Sequence, residues 1–148
     1  DRRQRQMCIR DRIMDAEFIL NSFQMNRLAD ALTFIGCIIA IWLALRTANM
    51  TGENPSSNLF TKILSTVFGL SIVAGSFQAF AIAANNWVMT ARRITEMGVE
   101  NAPDPIGAQG FLDFVGTTEP VGMPDTIGLI FLVTVAIMII GLIWIPRK

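Results

Sequence analysis

Apolar positions fall into three long blocks closed by polar or proline-containing sequence, with neither the short alternation of strands nor the one-sided stripe of a soluble helix. The first runs from about Leu28 to Ala48 and is interrupted only by Asp30 in its first turn; the second runs from about Leu59 to Val88, the third from Ile127 to Ile145. At ~1.5 Å per residue, a helix of about 20 residues reaches about 30 Å, the depth of a bilayer's hydrocarbon core. The pattern therefore predicts an all-α integral membrane protein with three transmembrane helices, spanning about 28–48, 59–88 and 127–145.

Punctuation supports these limits. The run Thr51 to Asn58, with Pro55 in its middle, is a polar turn, so the first two helices should form an antiparallel hairpin. Pro124 precedes the third block, Asp125 or Thr126 is positioned to cap it, and Pro146 closes it. Between Gly98 and Asp125 lie four prolines, five glycines and five acids, which predicts a long irregular solvated loop before the third span. Within it Ala108 to Val115 is the one ordered candidate, either an amphipathic turn on the membrane surface or, as the composition favours, a loop with a local hydrophobic cluster.

Composition narrows the chemistry. The chain is 52% apolar and 16% charged and holds no His and no Tyr. That removes the usual general base and the usual haem and zinc ligands, so no metal or cofactor is expected, and no nucleic-acid partner. Residues 2–11, back-translated in one frame, resemble the transposase-based adapter of sequencing libraries, so residues 1–12 read as an artefact and not as native protein. Residues 13–27 then form an N-terminal interfacial segment, 28–148 the three-span domain, and the native start falls at Met14 or upstream.

Setting the first twelve residues aside removes five basic and two acidic residues of twelve each and leaves a net charge of −3. It also changes the orientation. Arg27, Arg92 and Arg93 share one side of a three-span chain, against Arg46, Lys62, Arg147 and Lys148 on the other. The balance favours a cytoplasmic C-terminus in a bacterial inner membrane. Trp42, Trp87 and Trp144, each a few residues before Arg46, Arg92 or Arg147, are placed as interface anchors, with Arg92 and Arg93 beside them. Cys37 reads as an inert small hydrophobe, and Asp30 as a first-turn acid paired with Arg27.

A helical wheel separates two faces of the second span. Ser71, Gly75, Ala79 and Ala83 form a small-residue ladder with Gln78, Asn85 and Asn86 on or beside it. Leu70, Val73, Phe77, Phe80, Trp87 and Val88 take the opposite arc. The first span carries a matching ladder at Gly36, Ala40, Ala44 and Ala48. The expectation is that the two ladders meet across the hairpin, that the bulky arc faces lipid, and that the Ile-, Leu- and Val-rich third span faces lipid broadly. Gln78, Asn85 and Asn86 form a possible polar site; interhelical glue worth about 1 kcal/mol per group is the plainer reading for the two asparagines, and Gln78 is the deepest of the three.

No nucleophile has an activating partner and no acid is paired with a base, so catalytic residues are not expected. The pattern points to a non-catalytic accessory or assembly subunit of a membrane complex. Its partners would be the bilayer and other membrane subunits or a second copy. The alternative is a protomer of a small transporter or channel whose polar path is lined by Gln78, Asn85 and Ser71.

Overall fold

The computed structural model describes residues 2–146, with side chains from residue 16 onward. Residues 1–12, set apart on sequence grounds, lie outside the residues whose side chains are described. Among the described residues the chain is all helical: α1 (Arg2–Glu53), α2 (Leu59–Met97), a single 3-10 turn (Val99–Asn101), α3 (Pro105–Val115) and α4 (Thr126–Trp144). Three stretches, Ala16–Glu53 in α1, all of α2 and all of α4, are long and apolar enough to cross a membrane. Helices α1 and α2 pack as the expected antiparallel hairpin.

Local chemistry fixes each boundary. Between α1 and α2, the Asn54 side-chain oxygen accepts from the backbone N–H and the hydroxyl of Ser56 at 3.0 and 2.7 Å. The Ser57 hydroxyl donates to the Thr51 carbonyl at 2.8 Å, serving one of the carbonyls that a helix end leaves unpaired. Asn58 caps α2 by accepting from the Thr61 N–H at 2.9 Å. Asp125 caps α4 through the Gly128 N–H at 3.2 Å, and α4 closes at Trp144, just before Pro146.

The loop before α4 is more ordered than its composition predicts. Asp104 accepts from the Gly107 N–H at 3.0 Å and Pro105 occupies the first helical turn, so α3 begins three residues before Ala108. Gly116, at φ 71°, ends it in the left-handed conformation with its N–H on the Leu112 carbonyl. Upstream, residues 16–27 continue α1 without a break.

The chain divides into two compact units. One comprises Asp30–Ile82 with the chain from Gly122 onward; the other comprises the chain up to Ala29 with Ala83–Val121. The core of the first joins Ile41, Ala44 and Ala48 of α1 to Leu132, Val135, Ile139 and Ile143 of α4, with Ile72, Val73, Phe77 and Phe80 of α2 packed against it. Helix α4 supplies four of the buried residues, Leu132, Val135, Ile139 and Ile143, and turns most of its surface outward, Ile130, Val133, Ile137 and Ile140 among it, as expected of a span with a broad open face. On α2 the expected outward orientation of the bulky arc is corrected at Val73, Phe77 and Phe80, which pack against the core, while Leu70 of the same arc is exposed. In hydrocarbon an apolar side chain gains little by leaving the tails, so shape complementarity decides which face turns inward. The branched ridge of α4 is matched by large side chains.

Close approach occurs at two glycines outside the predicted ladder positions. A Cβ at Gly52 would overlap the Leu142 backbone carbonyl, and one at Gly69 would stand 2.7 Å from Ile139 Cγ2. Gly52 continues the first ladder by one step beyond Ala48, while Gly69 lies with buried Ser65 and Ser76 on the inner face of α2.

Helix α4 is close to one hydrocarbon thickness in length. Its 19 residues span about 28 Å, whereas the 39 residues of α2 span about 58 Å. Trp144, at the end of α4, donates from Nε1 to the Thr66 hydroxyl at 3.1 Å, and a Cβ at Gly128, near its start, would touch the Phe80 ring at 3.4 Å. Helix α4 therefore runs alongside the stretch of α2 from Thr66 to Phe80.

Candidate functional site

In the unit that contains α4 the predicted packing residues separate into two groups. Ala44 and Ala48 are buried in the core and Ala40 and Ala79 are half-buried. Gly36 and Gly75 are exposed, and a Cβ at either would meet nothing within 4 Å. Ser71 is exposed with its hydroxyl donating to the Phe68 carbonyl at 2.8 Å, and Gln78 is exposed beside it. Gly36, Ser71, Gly75 and Gln78 thus lie on the outer surface of this unit, and the ladder positions Ala44 and Ala48 lie in its core. Cys37 and Asp30 are half-buried in α1. At the hairpin end, Arg46 stands 5.6 Å from the Trp42 ring and Lys62 stands 5.9 Å from the Trp144 ring.

The other unit is built around Trp87. Its ring stacks on Phe111 at 5.6 Å, meets Phe23 edge-on at 5.0 Å and Phe114 at 5.6 Å, and carries the Arg27 guanidinium over its face at 5.0 Å. These residues come from α1, α2 and α3, so the cluster holds α3 to the two longer helices. Aromatic pairs at this spacing contribute about 0.5–1.5 kcal/mol each beyond their burial. Arg92 pairs with Glu96 at 2.8 Å, Arg93 is exposed, and Ala83 is half-buried.

Asn85 has a definite task. Its Nδ2 donates to the Val121 carbonyl and its Oδ1 accepts from the Val121 N–H, both at 2.8 Å. One carboxamide thus satisfies both backbone groups of a residue in the segment between α3 and α4. Asn86 is half-buried and its backbone carbonyl accepts from the Thr90 hydroxyl. Sequence reading marked Asn85 as interhelical glue or a polar site; it holds a loop backbone, a partnership 36 residues away that helix periodicity does not carry. Replacing Asn85 with Ala should cost about 1–3 kcal/mol locally and raise the rate of proteolytic cleavage within residues 117–122 severalfold. An unchanged cleavage rate would show that the clasp carries no stability.

Among the described residues no three acids, cysteines or histidines come together as a metal site. Comparison of the chain with protein-family models, with curated proteins and with solved structures finds no match. What the helices define is an integral membrane protein in contact with the lipid bilayer.

Proposed function

We propose that this protein is a non-catalytic accessory or assembly subunit of a membrane complex, acting through helix–helix packing with other subunits or a second copy. The observation that supports this reading is the exposed pair Gly36 and Gly75. A glycine inside a helix costs about 0.5–1 kcal/mol relative to alanine, and small residues in a membrane span serve close backbone approach. The chain's own core uses Gly52 and Gly69 for that purpose and leaves Gly36 and Gly75 open. Gln78 and Ser71 add polar atoms to the same outer face of α2, where a partner's hydrogen-bonding groups are worth about 1 kcal/mol each. A pore lined by Gln78, Asn85 and Ser71 fits less well, because Asn85 is spent on Val121. The surrounding membrane in this reading is a bacterial inner membrane, with the C-terminus cytoplasmic as the distribution of basic residues favours.

The experiment is the double substitution Gly36→Leu and Gly75→Leu, followed by mild detergent extraction and measurement of both thermal stability and assembly size. The expected result is an unchanged melting temperature with loss of the stoichiometric partner or of the homo-oligomer. A wild-type chain that runs as a monodisperse monomer, or an assembly indifferent to both leucines, would overturn the proposal.

A further inference from the structure

Lys62, Thr66 and Trp144 form a closed set at the end of α4. The Trp144 indole donates from Nε1 to the Thr66 hydroxyl at 3.1 Å, and that hydroxyl donates in turn to the Lys62 backbone carbonyl at 2.8 Å. The Lys62 ammonium lies over the Trp144 ring, 5.9 Å from its centre. A buried or half-buried indole N–H needs an acceptor, and here Thr66 is that acceptor, which fixes the ring and with it the place of the ammonium.

Lys62 is half-buried, and its ammonium carries a full charge and three hydrogen-bond donors. The ring face offsets part of that charge. Among the described residues no carboxylate pairs with Lys62, nor with Arg46, which rests on Trp42 in the same way. The sequence at this end is short of acids: residues 43–66 hold Glu53 alone, and Arg147 and Lys148 follow Trp144. The complement of such a cation is an anion from outside the chain.

The level of the set narrows the anion. Helix α4 has no charged residue among its 19, is one hydrocarbon thickness long, and is bracketed by Asp125 and Arg147. Charges at both ends keep the helix between them in the hydrocarbon, so Trp144 lies at one edge and Lys62, joined to it through Thr66, lies there too. That edge is where a lysine stem lies along apolar surface while its head meets the headgroups, and where anionic lipids attract basic side chains.

We propose that Lys62, held on Trp144, is a seat for the phosphate of an anionic phospholipid. The ammonium donates to the phosphate oxygens, Thr66 holds the indole in place, and the indole face holds the lysine.

The test uses the full chain carrying Trp42→Phe and Trp87→Phe, so that Trp144 is the reporter. It is reconstituted in phosphatidylcholine vesicles titrated with phosphatidylglycerol or phosphatidylcholine brominated near the headgroup end of the acyl chain. Quenching of Trp144 is expected to give phosphatidylglycerol an association constant about fivefold above that of phosphatidylcholine. Lys62→Gln should bring the two together, Lys62→Arg should keep them apart, and Arg46→Gln should change the ratio little. Equal quenching by the two lipids with Lys62 intact would overturn the proposal. Equal loss in Lys62→Gln and Arg46→Gln would overturn it in favour of a diffuse positive field. A Trp144 response to inorganic phosphate in pure phosphatidylcholine would overturn the lipid as the source of the anion. Spin-labelled phosphatidylglycerol on the chain with all three tryptophans reads the same preference without the aromatic substitutions; a motionally restricted fraction no larger than that of spin-labelled phosphatidylcholine would count against the seat.

Discussion

Gly52→Leu is expected to prevent the three-helix unit from closing. The first atom of the new side chain would occupy the position of the Leu142 carbonyl, and a main-chain group in a helix cannot step aside as a side-chain tip can. Overpacking at a site lined by flexible side chains costs about 1–3 kcal/mol, and a backbone occupant raises that. The variant should still insert, since its apolar blocks are unchanged, but should lose cooperative thermal unfolding in detergent and expose α4 to protease. Gly36→Leu and Gly75→Leu are the matched controls, because the space at both is open. Equal behaviour of Gly52→Leu and Gly36→Leu would show that α1 and α4 do not approach as described.

Ile139→Ala is the second large effect. Ile139 is fully buried in the C-terminal half of α4, in one cluster with Ile41, Ala44, Leu132 and Val135, and its Cγ2 fills the notch left by Gly69. Truncation removes three carbons from a site that lipid tails do not reach, at a cost of about 2–4 kcal/mol. Ile137→Ala, on the outer face of the same helix, should cost well under 1 kcal/mol. The pair also predicts a coupling. Gly69→Ala alone crowds Ile139, whereas Gly69→Ala with Ile139→Ala should cost less than the sum of the two single changes. Unfolding midpoints of the four proteins measure this directly, and strict additivity would contradict the contact.

How much was legible in the sequence divides along physical lines. The three spans, the hairpin, the Asp125 cap and the stop at Pro146 follow from hydropathy, length and turn chemistry, all of which are local. Which side of each helix turns inward was not legible. A wheel separates apolar from polar faces, but in α4 every face is apolar, so Leu132 and Ile139 look no different from Ile130 and Ile137. On α2 the small-residue rule selected Ser71, Gly75 and Ala79, while the fold uses Ser65, Gly69 and Ser76 on another arc. Both sets satisfy the rule, and only the shape of α4 decides between them. The first ladder was half informative: Ala44 and Ala48 are buried, and its next step, Gly52, carries the closest contact. Asp104 and Pro105 are a legible helix start that the surrounding glycines and prolines concealed.

The tightest packing in the molecule runs to the helix that is synthesised after the other two. While the ribosome makes residues 98–125, the α1–α2 hairpin sits in the bilayer with Ile41, Ala44 and Ala48 facing acyl chains, and the notches at Gly52 and Gly69 hold nothing of the protein's own. Arrival of α4 is therefore a locking step. A chain interrupted before Leu132 would be threaded through the membrane yet unlocked, with its polar Ser65 and Ser76 turned to lipid, the kind of defect that a membrane protease or a waiting partner helix can recognise.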